Sequence, residues 1–367
     1  MRVLYDGWSL VYSPISPQSL HLQAILAHLP DEVTPVVALP GAAPTWLEGV
    51  EVHVRSVPDT PSGRLRWEQF YLPREGLNML HLTVPSPPIL GNKVILLSSS
   101  VFDKFAGDIP GSPEMVHILD RLRHSLAYGG MVRVKEVLWP VDLPAPQLPG
   151  RLTRLSPILP PGFTSEPAPE TSAAEPSAAA LLEKLDLPEE FIIYHGPGDV
   201  RSLDRLMQAW HWAASAIGET HPLVILGFDS DALTTLTNLA EQYDLGGSLH
   251  VARDVTPDLI HHLYRRCSAV FHPAPASPWS GPVRLALACG KPLVASEDDL
   301  TDALAGPAAY LAPLGDPRAL GAALVTVIVE EQVAERLSTA AKRRAANWEM
   351  GKFSSQLWGV YSQTFAE

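Results

Sequence analysis

The stretch HPAPASPWSGPVRLALACGKPLVAS, from His272 to Ser296, has the composition of a strand end, a loop, a short helix and a second strand. Pro282 suits the first turn of a helix, where its missing N–H would have no intrahelical partner. Gly290 suits the position just after a helix. A loop that leaves a strand and opens a helix exposes backbone N–H groups, so the stretch indicates either an ordinary βαβ connection or an anion site.

The same alternation of strand and helix extends outward over both halves of the chain. FIIYHG, PLVILGF and SLHVARD predict buried strands in the second half, and RVLY, TPVVALP and NMLHLTVP predict strands in the first. Amphipathic helical segments separate them. The pattern predicts an α/β fold class with doubly wound, Rossmann-like parallel sheets and helices on both faces.

A change in composition divides the chain. Residues 164–180 are rich in Pro, Ala, Ser and Glu and lack apolar periodicity, which predicts a linker. Residues 1–163 and 181–349 are then two Rossmann-like domains, and we expect the last helix, 350–367, to return to the first. Ligands of such sheets bind beyond the carboxyl ends of the strands, so we expect a site in an interdomain cleft.

Composition and charge exclude several classes of protein. The chain has 367 residues, 46% of them hydrophobic, and a net charge of -13, which argues against a nucleic-acid partner. Two cysteines, Cys267 and Cys289, do not make a disulfide framework and fit a reducing cytoplasm. No run has the length of a transmembrane segment, and no Cys/His cluster has zinc spacing. We therefore expect a cytoplasmic protein without a metal site.

Strings in both halves match the motifs of one enzyme family. The second half contains FIIYHGPGDVRSLDRLMQAW, VTPDLIHHLYRRCSAVFHP, ALACGKPLVAS and AAYLAPLGDPRALGAAL, and the first contains RWEQFYLP and ILPPGF. Through these strings the chain resembles family 4 (group 1) glycosyltransferases of the GT-B fold. The resemblance implies an acceptor-side first domain and a nucleotide-sugar-side second domain. It also implies a retaining transfer that uses a nucleotide-sugar donor without a metal or another cofactor.

The resemblance also implies where a donor would bind, and several of those positions are substituted. The family's two glutamates, with seven residues between them, fall on Ser277 and Leu285. Its basic pair falls on Pro197 and Arg201, and its His-Asp pair falls near Ser98 and Ser99. The family's glycine-rich loop corresponds to SPISPQS, which has no glycine. The candidate donor and phosphate residues are therefore Gly196, Arg201, His272, Ser277, Ser280, Gly281 and Leu285.

The loss of one charge contact at a transition state lowers the reaction rate about a hundredfold or more. Because several charged positions of the family are substituted here, we expect a catalytic rate lower by several orders of magnitude. The first hypothesis is a glycosyltransferase-like protein with a substituted donor site, weak or non-catalytic, that binds a nucleotide, a glycan or a partner glycosyltransferase. The alternative is an active retaining hexosyltransferase with an altered donor site. A third is a nucleotide-sugar epimerase of the same fold, which needs buried acidic and histidine groups at the cleft. No catalytic residue is assigned.

Other polar residues have an ordinary structural interpretation beside a functional one. His81, His117 and His124 are possible acids or bases in the first half. His261 and His262 are adjacent on a helix and are expected to point in different directions, which makes a poor metal pair. The run from Lys342 to Arg344 is expected to be a solvated helix end.

Overall fold

The computed structural model describes residues 1–99, 118–146, 151–163, 182–228 and 230–366. The chain divides into two compact units. Unit 1 contains Met1–Pro14, His21–Ile158 and Glu349–Glu367, and unit 2 contains Ile15–Leu20 and Leu159–Trp348. The linker predicted at 164–180 lies outside the described residues.

Unit 1 is built on a seven-stranded sheet in its described part, and every neighbouring pair of strands is parallel. The strands are β1 Arg2–Asp6, β2 Thr34–Leu39, β3 Glu51–Val54, β4 Met79–Leu82, β5 Val94–Leu97, β6 Val134–Pro140 and β7 Arg151–Leu155. Their order is β3-β2-β1-β4-β5-β6-β7, so the direction of winding reverses between β1 and β4.

Unit 2 repeats this arrangement with six parallel strands in the described ranges. The strands are β8 Ile192–Tyr194, β9 Leu223–Leu226, β10 Leu249–Ala252, β11 Ala269–His272, β12 Leu293–Glu297 and β13 Tyr310–Pro313. The order β10-β9-β8-β11-β12-β13 is the Rossmann order, with its reversal between β8 and β11. The α/β fold class predicted from the sequence is confirmed.

Helices connect the strands in both units. Those that are described are α1 Trp8–Tyr12, α2 Pro17–Ala27, α3 Pro61–Arg66, α4 Ile118–Gly130, α5 Val200–Ile217, α6 Ser230–Gln242, α7 Pro257–Arg266, α8 Pro282–Ala288, α9 Asp299–Ala305, α10 Pro317–Val329, α11 Glu331–Ala346 and α12 Phe353–Ala366. The segment WEQFYLPR forms a π turn, Trp67–Tyr71, followed by a 3₁₀ turn, Leu72–Arg74. None of the described helices combines the length and the apolar character that crossing a bilayer requires.

The central strands β8, β9 and β11 of the unit 2 sheet are buried at every residue. Alternate residues of a strand point to opposite sides, so both faces of the sheet are covered. On one face Tyr194 and Phe271 belong to an apolar core that includes Trp210 of α5 and Leu324 of α10. The intervening residues face the other side. The two buried faces explain why the strands read as continuous hydrophobic runs in the sequence.

Unit 1 contains a buried chain of hydrogen bonds on one face of its sheet. The hydroxyl of Tyr361, on α12, lies 2.8 Å from the Tyr5 hydroxyl and 2.6 Å from Nδ1 of His81. Nε2 of His81 lies 2.7 Å from Oγ of Ser98, which in turn lies 3.0 Å from Nε2 of His21. Burial lowers the pKa of His81 to about 3, so this histidine is neutral and acts as one donor and one acceptor.

We expect Tyr361→Phe to lower the free energy of unfolding of unit 1 by about 1–3 kcal/mol, because it leaves the buried Tyr5 hydroxyl and His81 Nδ1 without their partner. Tyr5→Phe removes only the end of the chain and is the matched control with a smaller effect. Urea unfolding followed by tryptophan fluorescence measures both. Equal stability of the wild-type protein and the Tyr361→Phe variant would contradict the assignment.

Candidate functional site

The reversal of strand order in unit 2 brings two histidines together. β8 and β11 pair in parallel, with Ile192 beside Ala269 and Ile193 beside Val270. Continuing this register places His195, just after β8, beside His272 at the end of β11. Both are buried at the carboxyl ends of their strands, which is where ligands of this type of sheet bind.

Hydrogen bonds fix the tautomer of His195. Its Nε2 lies 2.7 Å from the carbonyl oxygen of Ile15, and its Nδ1 lies 3.0 Å from the hydroxyl of Tyr264. A carbonyl only accepts, so Nε2 carries the proton and Nδ1 accepts from Tyr264. Burial lowers the pKa of His195 to about 4 against the opposing bond to Ile15, with a further lowering by His272. His195 is therefore a neutral side chain near pH 7.

The segment of Ile15 replaces the glycine-rich loop implied by the resemblance. A Cβ built on Gly227, which has φ +75°, would lie 2.4 Å from Cδ1 of Ile15. Gly227 thus leaves room for the isoleucine side chain, while His195 holds the isoleucine carbonyl. Close approach here depends on a glycine of unit 2 and not on a glycine in the loop itself.

His272 is the second buried imidazole of the site. Its Nε2 lies 3.3 Å from the carbonyl oxygen of Pro275, and its Nδ1 has no hydrogen-bond partner among the described residues. Burial lowers the pKa of His272 to about 4. With Nε2–H donating to Pro275, Nδ1 is left as an acceptor for a hydroxyl or a water molecule.

The loop after β11 is tightly folded around Ser280. The Gly281 amide donates to the carbonyl of Trp279 at 2.9 Å, and a Cβ on Gly281 would lie 2.7 Å from Cβ of Ser277. Ser280 is completely buried, and its hydroxyl has no partner in the described part of the chain. A buried polar group without a partner is uncommon in proteins, so Ser280 is a position that a ligand or a water molecule can satisfy.

The ends of helix α8 are those predicted from the sequence, and the position where the resemblance implies a glutamate holds a leucine. It begins at Pro282, Gly281 precedes it, and Gly290 follows with φ +61°. Leu285 is completely buried and offers no polar atom. A carboxylate at this position would be removed from water, which is costly unless it is paired.

A second loop, between β8 and α5, contributes positive charge. The Tyr194 hydroxyl donates to the carbonyl of Pro197 at 2.8 Å, and a Cβ on Gly196 would lie 2.5 Å from Cζ of Tyr194, so the loop is packed onto this phenol. Arg201 and Arg205 follow on α5, one turn apart. The pKa of Arg205 is lowered by burial and then by the charge of Arg201, while the carboxylates of Asp199 and Asp204 act in the opposite direction. The two arginines are one turn apart on α5 and repel each other, and the two acids offset part of this repulsion.

The carboxylate of Asp298, which lies near His272, caps a helix. Asp298 accepts hydrogen bonds from the backbone amides of Leu300 and Thr301 at 2.9 and 3.0 Å, and it caps α9. The polar groups described in this region of unit 2 are two neutral imidazoles at the ends of β8 and β11, the buried Ser280 hydroxyl after β11, and the guanidinium groups of Arg201 and Arg205 on α5.

The remaining candidates lie elsewhere. His81 and Ser98 belong to the hydrogen-bonded chain of unit 1, His124 is exposed on α4, and His117 lies outside the described residues. In the described ranges no three His, Cys, Asp or Glu side chains are grouped as metal ligands.

Two expectations about side-chain direction are wrong. The rings of His261 and His262 do not diverge: their centroids are 3.9 Å apart, because both rings turn toward each other from neighbouring positions. Arg344 is not a solvated end of the basic run. Its Nε donates to the carbonyl of Leu304 at 3.0 Å, and its Nη2 donates to that of Ala303, because α11 packs beside the end of α9.

Sequence reasoning missed three residues of this region: His195, Arg205 and Arg284. The spacing of Arg201 and Arg205, four residues apart in a predicted helix, was a usable signal for the second. His195 became visible only through the register of β8 with β11. Arg284 is completely buried in α8, which nothing in the residue type foretells.

Comparisons with known proteins agree on one type of fold. Residues 185–344 match the family model of glycosyl transferases group 1. Sucrose-phosphate synthase from Thermosynechococcus elongatus has a TM-score of 0.68 at 15% identity, over 100% of this chain and 99% of that one. WaaG, a glycosyltransferase involved in lipopolysaccharide biosynthesis, has a TM-score of 0.68 at 13% identity, over 98% and 99%.

HepE from Anabaena, in a complex with UDP-glucose, has a TM-score of 0.64 at 15% identity, over 99% of this chain and 100% of that one. None of the curated proteins matches the sequence. The identities are low, so the similarity concerns the fold, and the predicted GT-B architecture is confirmed.

The buried histidine makes unit 2 sensitive to acid. The pKa of His195 is about 4 when folded and about 6.5 in its ordinary state, so between these values the unfolded chain binds more protons. The free energy of unfolding must then fall as pH falls from about 6.5 to about 4, by at most about 1.4 kcal/mol per pH unit for one proton. We expect His195→Gln to flatten this dependence. Denaturant unfolding between pH 7.5 and 4.5 measures it, with exposed His124→Gln as the control, and an unchanged slope would contradict the assignment.

Proposed function

We propose, from the match of residues 185–344 to glycosyl transferases group 1 within a GT-B fold, that this chain is a glycosyltransferase-like protein that binds a nucleotide sugar in unit 2 and turns it over weakly or not at all. The complex of HepE with UDP-glucose supports this ligand class. The donor site is the region around Gly196, Arg201, His272, Ser277, Ser280 and Gly281.

The proposal rests on two arginines and an unpartnered serine hydroxyl in unit 2, together with residues other than glutamate at the two positions where the resemblance implies acids. Arg201 and Arg205 supply two positive charges on one side of α5, and Ser280 supplies an unpartnered hydroxyl. At the two positions where the resemblance places glutamates, Ser277 is a short hydroxyl and Leu285 is buried and apolar. The phosphates of a donor would thus be recognised, whereas the sugar and the ribose would lose their carboxylate partners.

Binding of the diphosphate should dominate under this proposal. A hydrogen bond to a charged group contributes about 1.5–3 kcal/mol, so two guanidinium groups can account for micromolar to millimolar affinity together with base contacts. The sugar adds little because its acidic partner is absent. UDP and UDP-glucose should then bind within a few-fold of each other.

The second candidate is an active retaining hexosyltransferase with an altered donor site. Arg205 favours it, because it can replace the positive charge that is missing at Pro197. In that case Arg201 and Arg205 would neutralise the leaving diphosphate, and Ser277 and Ser280 would orient it through hydroxyl groups. Release of UDP from UDP-glucose at an enzymatic rate would favour this candidate over the first.

The other ligands implied by the resemblance are a glycan or a partner glycosyltransferase. They become the leading explanation if the protein binds no nucleotide. A reducing compartment, the cytoplasm, is our proposal for where the protein works, and the two free thiols, Cys267 and Cys289, support it.

We expect Arg201→Met with Arg205→Met to weaken UDP binding at least tenfold, because both changes remove charge without adding bulk. Isothermal titration with UDP and with UDP-glucose measures the affinity, and a coupled assay of UDP release measures turnover. Arg318→Met is the matched control, since Arg318 is an exposed arginine of unit 2 that lies over the Trp212 ring. Equal affinity in the double variant and the wild type would contradict the site.

A further inference from the structure

Arg284 is a completely buried arginine in α8, immediately after the candidate donor loop. Its Nε donates to the carbonyl of Trp279 at 3.2 Å, and its Nη2 donates to the carbonyl of Pro278 at 3.1 Å. Its Cζ lies 4.8 Å from the centroid of the Trp348 ring. A guanidinium group does not lose its proton in proteins, so a permanent positive charge lies beneath this loop.

The two hydrogen bonds decide how the loop peptides are oriented. In a trans peptide the carbonyl and the following N–H point in opposite directions, and the described chain has no cis peptide. The Trp279 carbonyl points to the guanidinium, so the N–H of Ser280 points away from it. That N–H donates to none of the backbone carbonyls described for the turns and loops.

Ser280 therefore presents a hydroxyl that is buried without a partner among the described residues, and an amide that donates to none of the loop carbonyls described there. The geometry of its peptide directs this amide away from Arg284. An N–H and an O–H on one residue are suited to two oxygen atoms of a phosphate group. Arg284 donates to the carbonyls on the opposite side, so its charge polarises the peptides without touching the ligand.

We propose that Arg284 is the positioning residue of the donor loop: it holds the carbonyls of Pro278 and Trp279 so that Ser280 turns its N–H and hydroxyl toward a phosphate of the bound nucleotide. This inference rests on the proposed function for its ligand, and on the hydrogen bonds alone for its account of the loop. Because Arg284 holds two of the loop carbonyls, less of the loop has to be ordered when a ligand binds.

Two other residues separate positioning from general stability. Arg344 is a matched arginine, since it also donates from Nε and Nη2 to two consecutive carbonyls, those of Leu304 and Ala303. Arg344→Met removes the same type of contact, one arginine on two consecutive carbonyls, at a place away from the loop. Ser280→Ala removes the hydroxyl and leaves the two hydrogen bonds of Arg284 in place.

The experiment combines hydrogen–deuterium exchange of the peptide that covers residues 274–285 with titration of UDP. We expect Arg284→Met to speed exchange of the loop amides and to weaken UDP binding at least tenfold, because the loop loses its fixed orientation. Arg284→Lys keeps the charge but not the two-pronged contact and should recover part of both. Ser280→Ala should weaken UDP binding without changing exchange, and Arg344→Met should change neither.

Each result has a defined meaning. If the wild type binds UDP and Arg284→Met binds it equally well, the inference is overturned and the proposed function stands. If the wild type binds neither UDP nor pyrophosphate, the proposed function fails. Hydrogen–deuterium exchange then still tests whether Arg284 holds the loop: faster exchange in Arg284→Met but not in Arg344→Met supports this role, and unchanged exchange overturns it. If Arg284→Met does not fold, Arg284→Lys makes the comparison: faster exchange of the loop amides than in the wild type supports the inference, and unchanged exchange overturns it.

Discussion

The parallel pairing of β8 with β11 is the interaction on which the candidate site depends. It fixes which residues stand side by side where the two strands end, and it sends the chain into two different loops from that point. His195 and His272 meet there, although 77 positions separate them in the printed numbering. The loops of Gly196 and Ser280, and the arginines of α5 and α8, follow from these two strand ends.

Burial determines what those groups can do chemically. His195 and His272 would carry charge in acidic solution, but removal from water lowers the pKa of each to about 4 and keeps it neutral. Leu285 is apolar where the resemblance implies a glutamate, and Asp298 is used to cap a helix. Positive charge is supplied by arginines, whose charge persists under burial. Under the proposed function these arginines would bind the phosphates of the ligand, and neither histidine would carry a charge near pH 7.

Much of the architecture could be predicted because it depends on local patterns. Short continuous hydrophobic runs located the strands, and period-3.6 hydrophobicity located the helices. Pro282 and Gly290 marked the ends of α8 correctly because capping is a property of a few neighbouring residues. The wrong expectations, for His261 and for Arg344, concern side-chain direction: the His261 ring packs with the ring of Phe163, and Arg344 donates to carbonyls of α9.

The sequence by itself determined the fold class and the loops at the ends of β8 and β11, since each depends on residue type at a known spacing. Only the tertiary structure decided that Arg284 holds the carbonyls of the loop, that Ser280 is buried without a partner in the described part of the chain, and that His195 donates to the carbonyl of Ile15. These contacts join residues whose separation in the chain carries no information about their distance in space. The stretch from His272 to Ser296 is therefore predicted as a loop and a helix by its residue types, whereas the contacts of Arg284 and Ser280 within it depend on the folded chain.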